Sequence, residues 1–201
     1  MIPAYDGSPL DGSVYLEVVG LADRSPGWLD ALVAAWSAYG LGLFAVLMAV
    51  AWWRTRRTGS APATVALAAP LVALLAFGAD GLLKLAVRED RPCRSLRVTT
   101  LEACPPPGDW AFPSNHTALA AAAAVALLFV SRRLGLIALV AAALMGVSRV
   151  WVGAHYPHDV LAGFLVGVLV AAPAAWAVRR HSTAVARRLT ATRLRRLLEP
   201  A

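Results

Sequence analysis

The 201-residue chain is 59% hydrophobic and 15% charged, with a mean hydropathy of +0.62. A soluble domain of this length carries far more polar surface, so the composition excludes soluble classes and puts the chain in a bilayer. Its net charge of +7 comes from arginines gathered in short segments between apolar runs, a pattern of membrane orientation, and no nucleic-acid partner is expected.

In chain order, the first thirty residues hold Asp6, Asp11, Glu17, Asp23 and Asp30 against Arg24 alone, so they lack the basic start of a signal peptide. The apolar run from Val14 to Ala22 is too short to span. It reads as an interfacial amphipathic helix, with an irregular cap as the alternative. Five stretches then approach the length of about 20 apolar residues that a spanning helix needs. They are residues 29–53, 62–87, 116–131, 134–153 and 158–178. The third is short, and is expected to continue past Ser131 or to sit beside locally thinned bilayer. Alanine and glycine dominate these stretches, which suits close backbone packing inside a membrane. The expected fold is all-α, a polytopic membrane bundle of about five transmembrane helices plus the N-terminal interfacial helix. Residues 1–28 form the interfacial segment, 29–178 the transmembrane domain and 179–201 a basic tail.

Arg54, Arg56 and Arg57 follow the first span, Arg132 and Arg133 lie between the third and fourth, and seven arginines follow the fifth. The retention of basic residues on the inner face makes those segments, and the C-terminus, cytoplasmic. The N-terminus, residues 88–115 and residues 154–157 then lie outside, with eleven of the twelve acidic residues in or near them. The tail's arginine pairs either rest on anionic headgroups or serve as a solvated topology signal. Cys93 and Cys104, the only cysteines, share the long outer loop and are expected to form a disulfide. Two cysteines without a neighbouring histidine are a poor zinc set, and no metal is expected.

Charge at membrane depth is costly and asks for a functional explanation. Lys84 ends the second span and Arg91 follows seven residues on, just before Pro92. Lys84, Arg88 and Arg91 would share a helix face, while Pro92 turns Arg91 out of the helix. The plainer reading is snorkelling, with Asp80 neutralising Lys84 one turn away. A second cluster, Pro113-Ser114-Asn115-His116, opens the third span. Ser114 as N-cap would leave the N–H groups near Asn115 and His116 free for an anion. Capping alone, with His116 facing water, is the alternative. In the third cluster Ser148-Arg149, His155 and Asp159 are drawn together by a short hairpin, with Pro157 in the first turn of the last span. A carboxylate on one imidazole nitrogen frees the other to attack, and a structural ion pair is the alternative. His158 reads as interfacial, pointing away from this pair. All three clusters fall at the same outer level, and together they supply cations, N–H donors, a nucleophile and an acid for phosphoryl transfer.

These residues resemble the type-2 phosphatidic acid phosphatase superfamily. Its tripartite signature is matched by Lys84 through Arg91-Pro92, by Pro113-Ser114-Asn115-His116, and by Ser148-Arg149 through His155 and Asp159. The resemblance covers residues 29–178 as a lipid phosphatase domain. It implies that His155 attacks phosphorus, Asp159 orients it, and His116 protonates the leaving oxygen and later activates water. Lys84, Arg91, Ser114, Asn115 and Arg149 would hold the phosphate, with no cofactor. Asn115 stands where glycine is usual. With the short hairpins and Trp28-Leu29-Asp30, it makes the chain look most like the branch acting on undecaprenyl diphosphate. The implied partner is a lipid phosphate or diphosphate. Phosphatidylglycerophosphate, phosphatidic acid and a polyprenyl-phosphosugar phosphate stay open, as does a non-catalytic transporter or scaffold.

Overall fold

The computed structural model describes residues 4–199, so the ends of the expected 1–28 and 179–201 segments lie outside the described residues. Helix α1 (Ser8–Ala22) starts earlier than the apolar run suggests, because Asp6 accepts the Ser8 N–H and Pro9 suits the first turn. It kinks at Asp11, whose φ of −148° is not helical. One face buries Tyr15, Val19 and Ala22, while Leu10, Val14, Leu16 and Leu21 are exposed. The outer face is therefore apolar as well. Tyr15 packs edge-on against Tyr156 at 5.4 Å and donates to the Gly153 carbonyl at 2.9 Å. A single parallel bridge, with Tyr5 between Arg88 and Asp90, ties the segment before α1 to the outer loop.

The first expected span is broken. Helices α2 (Gly27–Tyr39) and α3 (Leu41–Thr55) meet at Gly40 with a bend of 53°. A Cβ at Gly40 would strike Met145 and the preceding turn at Trp36, so the break is packed too closely for a side chain. Helix α4 (Ser60–Val87) is a full span that ends at Arg88 in the left-handed region, and α5 (Pro92–Ser95) is one turn. Helix α6 (Asn115–Val130) stops where Ser131 turns extended, so it does not continue as expected. Its 16 residues give a length of about 24 Å against a hydrocarbon core of about 30 Å. This short helix is the centre of the bundle. Ala118 and the run from Ala120 to Leu127 are buried against α4, α7 (Arg132–Trp151) and α8 (Pro157–Thr190). Lipid does not surround it, so it need not match the bilayer.

Small residues set the closest approach. A Cβ at Gly163 would strike the Ser114 backbone, and one at Gly167 the Ala118 carbonyl, so α8 lies directly on α6. That contact holds the Ser114 turn against the start of α8, where Ser114 N–H donates to the Asp159 carbonyl at 3.0 Å. The tail is not free. Helix α8 runs on to Thr190, and α9 (Arg195–Leu198) folds back so that Leu198 is buried and Trp52 Nε1 donates to the Leu197 carbonyl.

Candidate active site

The ends of α4, α6, α7 and α8 converge on one cavity of about 360 Å³, whose lining includes Lys84, Arg91, Asn115, His116, Arg149 and His155. Each arrives for a local reason. Gly153 (φ +82°) reverses the chain after α7, and the N–H groups of Ala154 and His155 both return to the Arg149 carbonyl. Pro157 starts α8, and Asp159 in its first turn accepts the Tyr156 N–H at 2.9 Å. That bond holds the same Oδ2 at 3.3 Å from His155 Nδ1.

His155 is 2% exposed, and its Nε2 lies 3.0 Å from Arg91 Nη1. A guanidinium only donates, so Nε2 carries the lone pair and the proton sits on Nδ1, facing Asp159. Burial first, then the Arg91 and Arg149 charges, hold this imidazole well below its ordinary 6.5. The ring is thus neutral, with its lone pair toward the cations. Among the described residues no side-chain hydrogen bond involves His116, whose ring lines the cavity unengaged.

The cations are gripped. Lys84 Nζ donates to the Trp110 and Ala111 carbonyls at 2.8 and 3.0 Å, leaving its third donor for the cavity. Asp80, one turn away, makes no hydrogen bond to it among the described residues and can act on Lys84 only as a nearby charge. Arg91 holds the Ala154 carbonyl and both the carbonyl and the carboxylate of Asp109. Arg149 donates to Ser37 Oγ at 2.5 Å and meets the Glu102 carboxylate at two points, 2.8 and 3.2 Å.

Other expected residues stand elsewhere. Ser114 occupies the N-cap position but is fully buried, its hydroxyl accepting from Thr117 and making no cap bond. Arg88 and Arg97 are exposed and Arg94 reaches the Pro105 carbonyl, so none of the three lines the cavity. Cys93 and Cys104 form a disulfide in the loop that carries Glu102. His158 is not merely interfacial. Its Nδ1 and backbone N–H bond Asp11 at 2.7 Å, its Nε2 bonds Glu89 at 3.0 Å, and Asp159 Oδ1 lies 3.5 Å away. Glu89, His158 and Asp159 are thereby clustered as metal-ligand types, but both His158 nitrogens are already engaged.

A family model of the PAP2 superfamily matches residues 63–183. Undecaprenyl-diphosphatase BcrC of Bacillus subtilis (strain 168) is 32% identical over 142 residues, 71% of each chain. An undecaprenyl-diphosphatase of Sulfolobus acidocaldarius is 41% identical over 64 residues, 31% of each chain. The crystal structure of the first transmembrane PAP2 type phosphatidylglycerolphosphate phosphatase from Bacillus subtilis is similar with a TM-score of 0.50 and 23% identity, over 87% of each chain. That last likeness is one of fold.

Proposed function

The chain belongs to the PAP2 superfamily and is a membrane phosphatase, and from that premise we propose that it hydrolyses a polyprenyl diphosphate of the undecaprenyl type to the monophosphate and phosphate. The observation that carries the chemistry is the His155 ring, with Nδ1 facing Asp159 and a lone pair on Nε2 inside a cavity lined by Lys84, Arg91 and Arg149. Nε2 attacks the terminal phosphorus, a P–N bond forms, and the P–O bond to the lipid monophosphate breaks. His116 gives its proton to the departing oxygen. Asp159 steadies the imidazolium, and the three cations with the N–H groups opening α6 spread the charge of the equatorial oxygens. Water, deprotonated by His116, then breaks the P–N bond and releases phosphate. Oxygen and proton balance close, because the water supplies both the hydroxyl on phosphate and the proton on His116.

The substrate class rests on the relatives named above, two of which are undecaprenyl-diphosphatases. The extracytoplasmic setting rests on charge, since the site lies at the ends of the helices opposite Arg54, Arg132 and Arg179. Initial rates on undecaprenyl diphosphate, phosphatidylglycerophosphate and phosphatidic acid at equal surface concentration test the assignment. The diphosphate is expected to be preferred, and a preference for either glycerolipid overturns it.

A further inference from the structure

We propose that Glu102 is a specificity-determining residue, an internal anion that holds Arg149 until the charged leaving group of a diphosphate displaces it. The inference rests on the reading of the cavity as a phosphate site. Arg149 is 5% exposed, yet its outer fork faces a carboxylate at 2.8 and 3.2 Å, the two-point geometry with which a guanidinium holds a phosphate. The Glu102 side chain is 41% exposed and, among the described residues, makes no other hydrogen bond. Its backbone is tied separately, with N–H to the Val152 carbonyl and the carbonyl to Thr100 Oγ1. The carboxylate can therefore swing away by side-chain rotation while the loop stays, and Ser37 keeps Arg149 in position. Asp109 is a poorer candidate, because Arg91 also holds its backbone carbonyl.

Position says which phosphate competes. His116, Arg149 and Glu102 line the main cavity and also a second hollow of about 400 Å³, beside Ala34 and Ala38 of α2. His116 is the proposed donor to the leaving oxygen, so the hollow beyond it receives the leaving group. A diphosphate brings a second phosphate there, which takes the Arg149 fork and expels Glu102. A glycerolipid monoester brings a neutral alcohol, which leaves Glu102 in place. After cleavage, Glu102 recaptures Arg149 as the monophosphate departs.

The test compares full-length wild type with Glu102→Gln in detergent micelles, with Glu102→Asp as a charge-retaining control. The ratio of kcat/KM for polyprenyl diphosphate over phosphatidic acid is expected to rise about tenfold in Glu102→Gln, through a gain on the diphosphate, which no longer has to expel a carboxylate, and to hold in Glu102→Asp. Inhibition by polyprenyl monophosphate should tighten by a similar factor. A ratio that stays unchanged or falls overturns the proposal. Inhibition by orthophosphate separates this outcome from failure of the substrate reading, since it involves no lipid. If wild type itself prefers phosphatidic acid, the substrate reading fails. Competition by Glu102 is then judged by orthophosphate alone, which must bind about tenfold tighter to Glu102→Gln, and an unchanged inhibition constant sinks it.

Discussion

The hydrogen bonds on His155 divide its two nitrogens: Asp159 faces Nδ1, and Arg91 donates to Nε2. His155→Ala should therefore end turnover and phosphoenzyme formation together. Asp159→Asn should cost on the order of 10³–10⁴ in kcat by frustrating the tautomer, as in other triads. His116→Ala, given p-nitrophenyl phosphate whose leaving group needs no proton, should accumulate a phosphoenzyme that intact-mass measurement detects. The same variant isolates the titration of His155. Burial and two guanidiniums disfavour its protonated form, so the neutral nucleophile persists as pH falls below 6.5 and is lost only in more acid solution. An acid limb of kcat/KM at or above 6.5 would count against that environment. His158 behaves differently from its reading as an interfacial ring. Removing it leaves Asp11, Glu89 and Asp159 facing one another, and His158→Ala should cost about 3 kcal/mol of stability, the lower end for breaking a buried pair. Sequence pattern made the three motifs legible because Lys84, His116, Arg149 and Asp159 stand at the ends of otherwise apolar runs. Glu102 and Asp109 were legible only as acids that could offset outer arginines, and Ser37 not at all, because a serine in an apolar helix and acids in a polar loop carry no pattern that names what they touch.

Among the helices, α4, α7 and α8 were readable as continuous apolar runs. The break between α2 and α3 was not, since Gly40 inside an apolar stretch is equally at home in an unbroken helix, and only packing on Trp36 and Met145 decides the matter. The kink at Asp11 is likewise tertiary, for the residue departs from helix where it bonds His158. The short α6 could be seen, but its burial on several sides could not, and that burial is why it need not lengthen past Ser131. The loop between α5 and α6 depends on the Cys93–Cys104 disulfide, which closes a separation of 11 residues. By the chain-entropy account such a closure is worth about 2–3 kcal/mol. Reduction should lower the melting temperature and loosen the Glu102 region, seen as faster amide exchange at residues 96–104. Unchanged exchange there after full reduction would show that the backbone bonds to Val152 suffice.

At the scale of the molecule, the two ends of the bundle differ in charge and in chemistry. The ends bearing Lys84, Asn115, Arg149 and Asp159 hold the cavity, while Arg54, Arg56, Arg57, Arg132, Arg133 and the tail arginines gather at the other. Arg56 and Arg57 lie over the Trp52 and Trp53 rings at 5.1–5.2 Å, a pairing of cation and indole suited to a headgroup level. Helix α8, at 34 residues, is about 51 Å long and outruns a core of about 30 Å. The excess carries Arg179, Arg180, Arg187 and Arg188, so the overhang falls on the arginine side. The proposed orientation rests on retention of basic segments in the cytoplasm, and it bears on function because a phosphate released on the opposite side would come from a different lipid pool. Two exposed positions, Thr58 after α3 and Pro107 in the outer loop, report on the two faces. In a background with Cys93→Ser and Cys104→Ser, a membrane-impermeant maleimide added to intact cells should label Pro107→Cys, and should label Thr58→Cys only after the membrane is opened. The reverse pattern would put the cavity on the cytoplasmic face and require a substrate delivered from within.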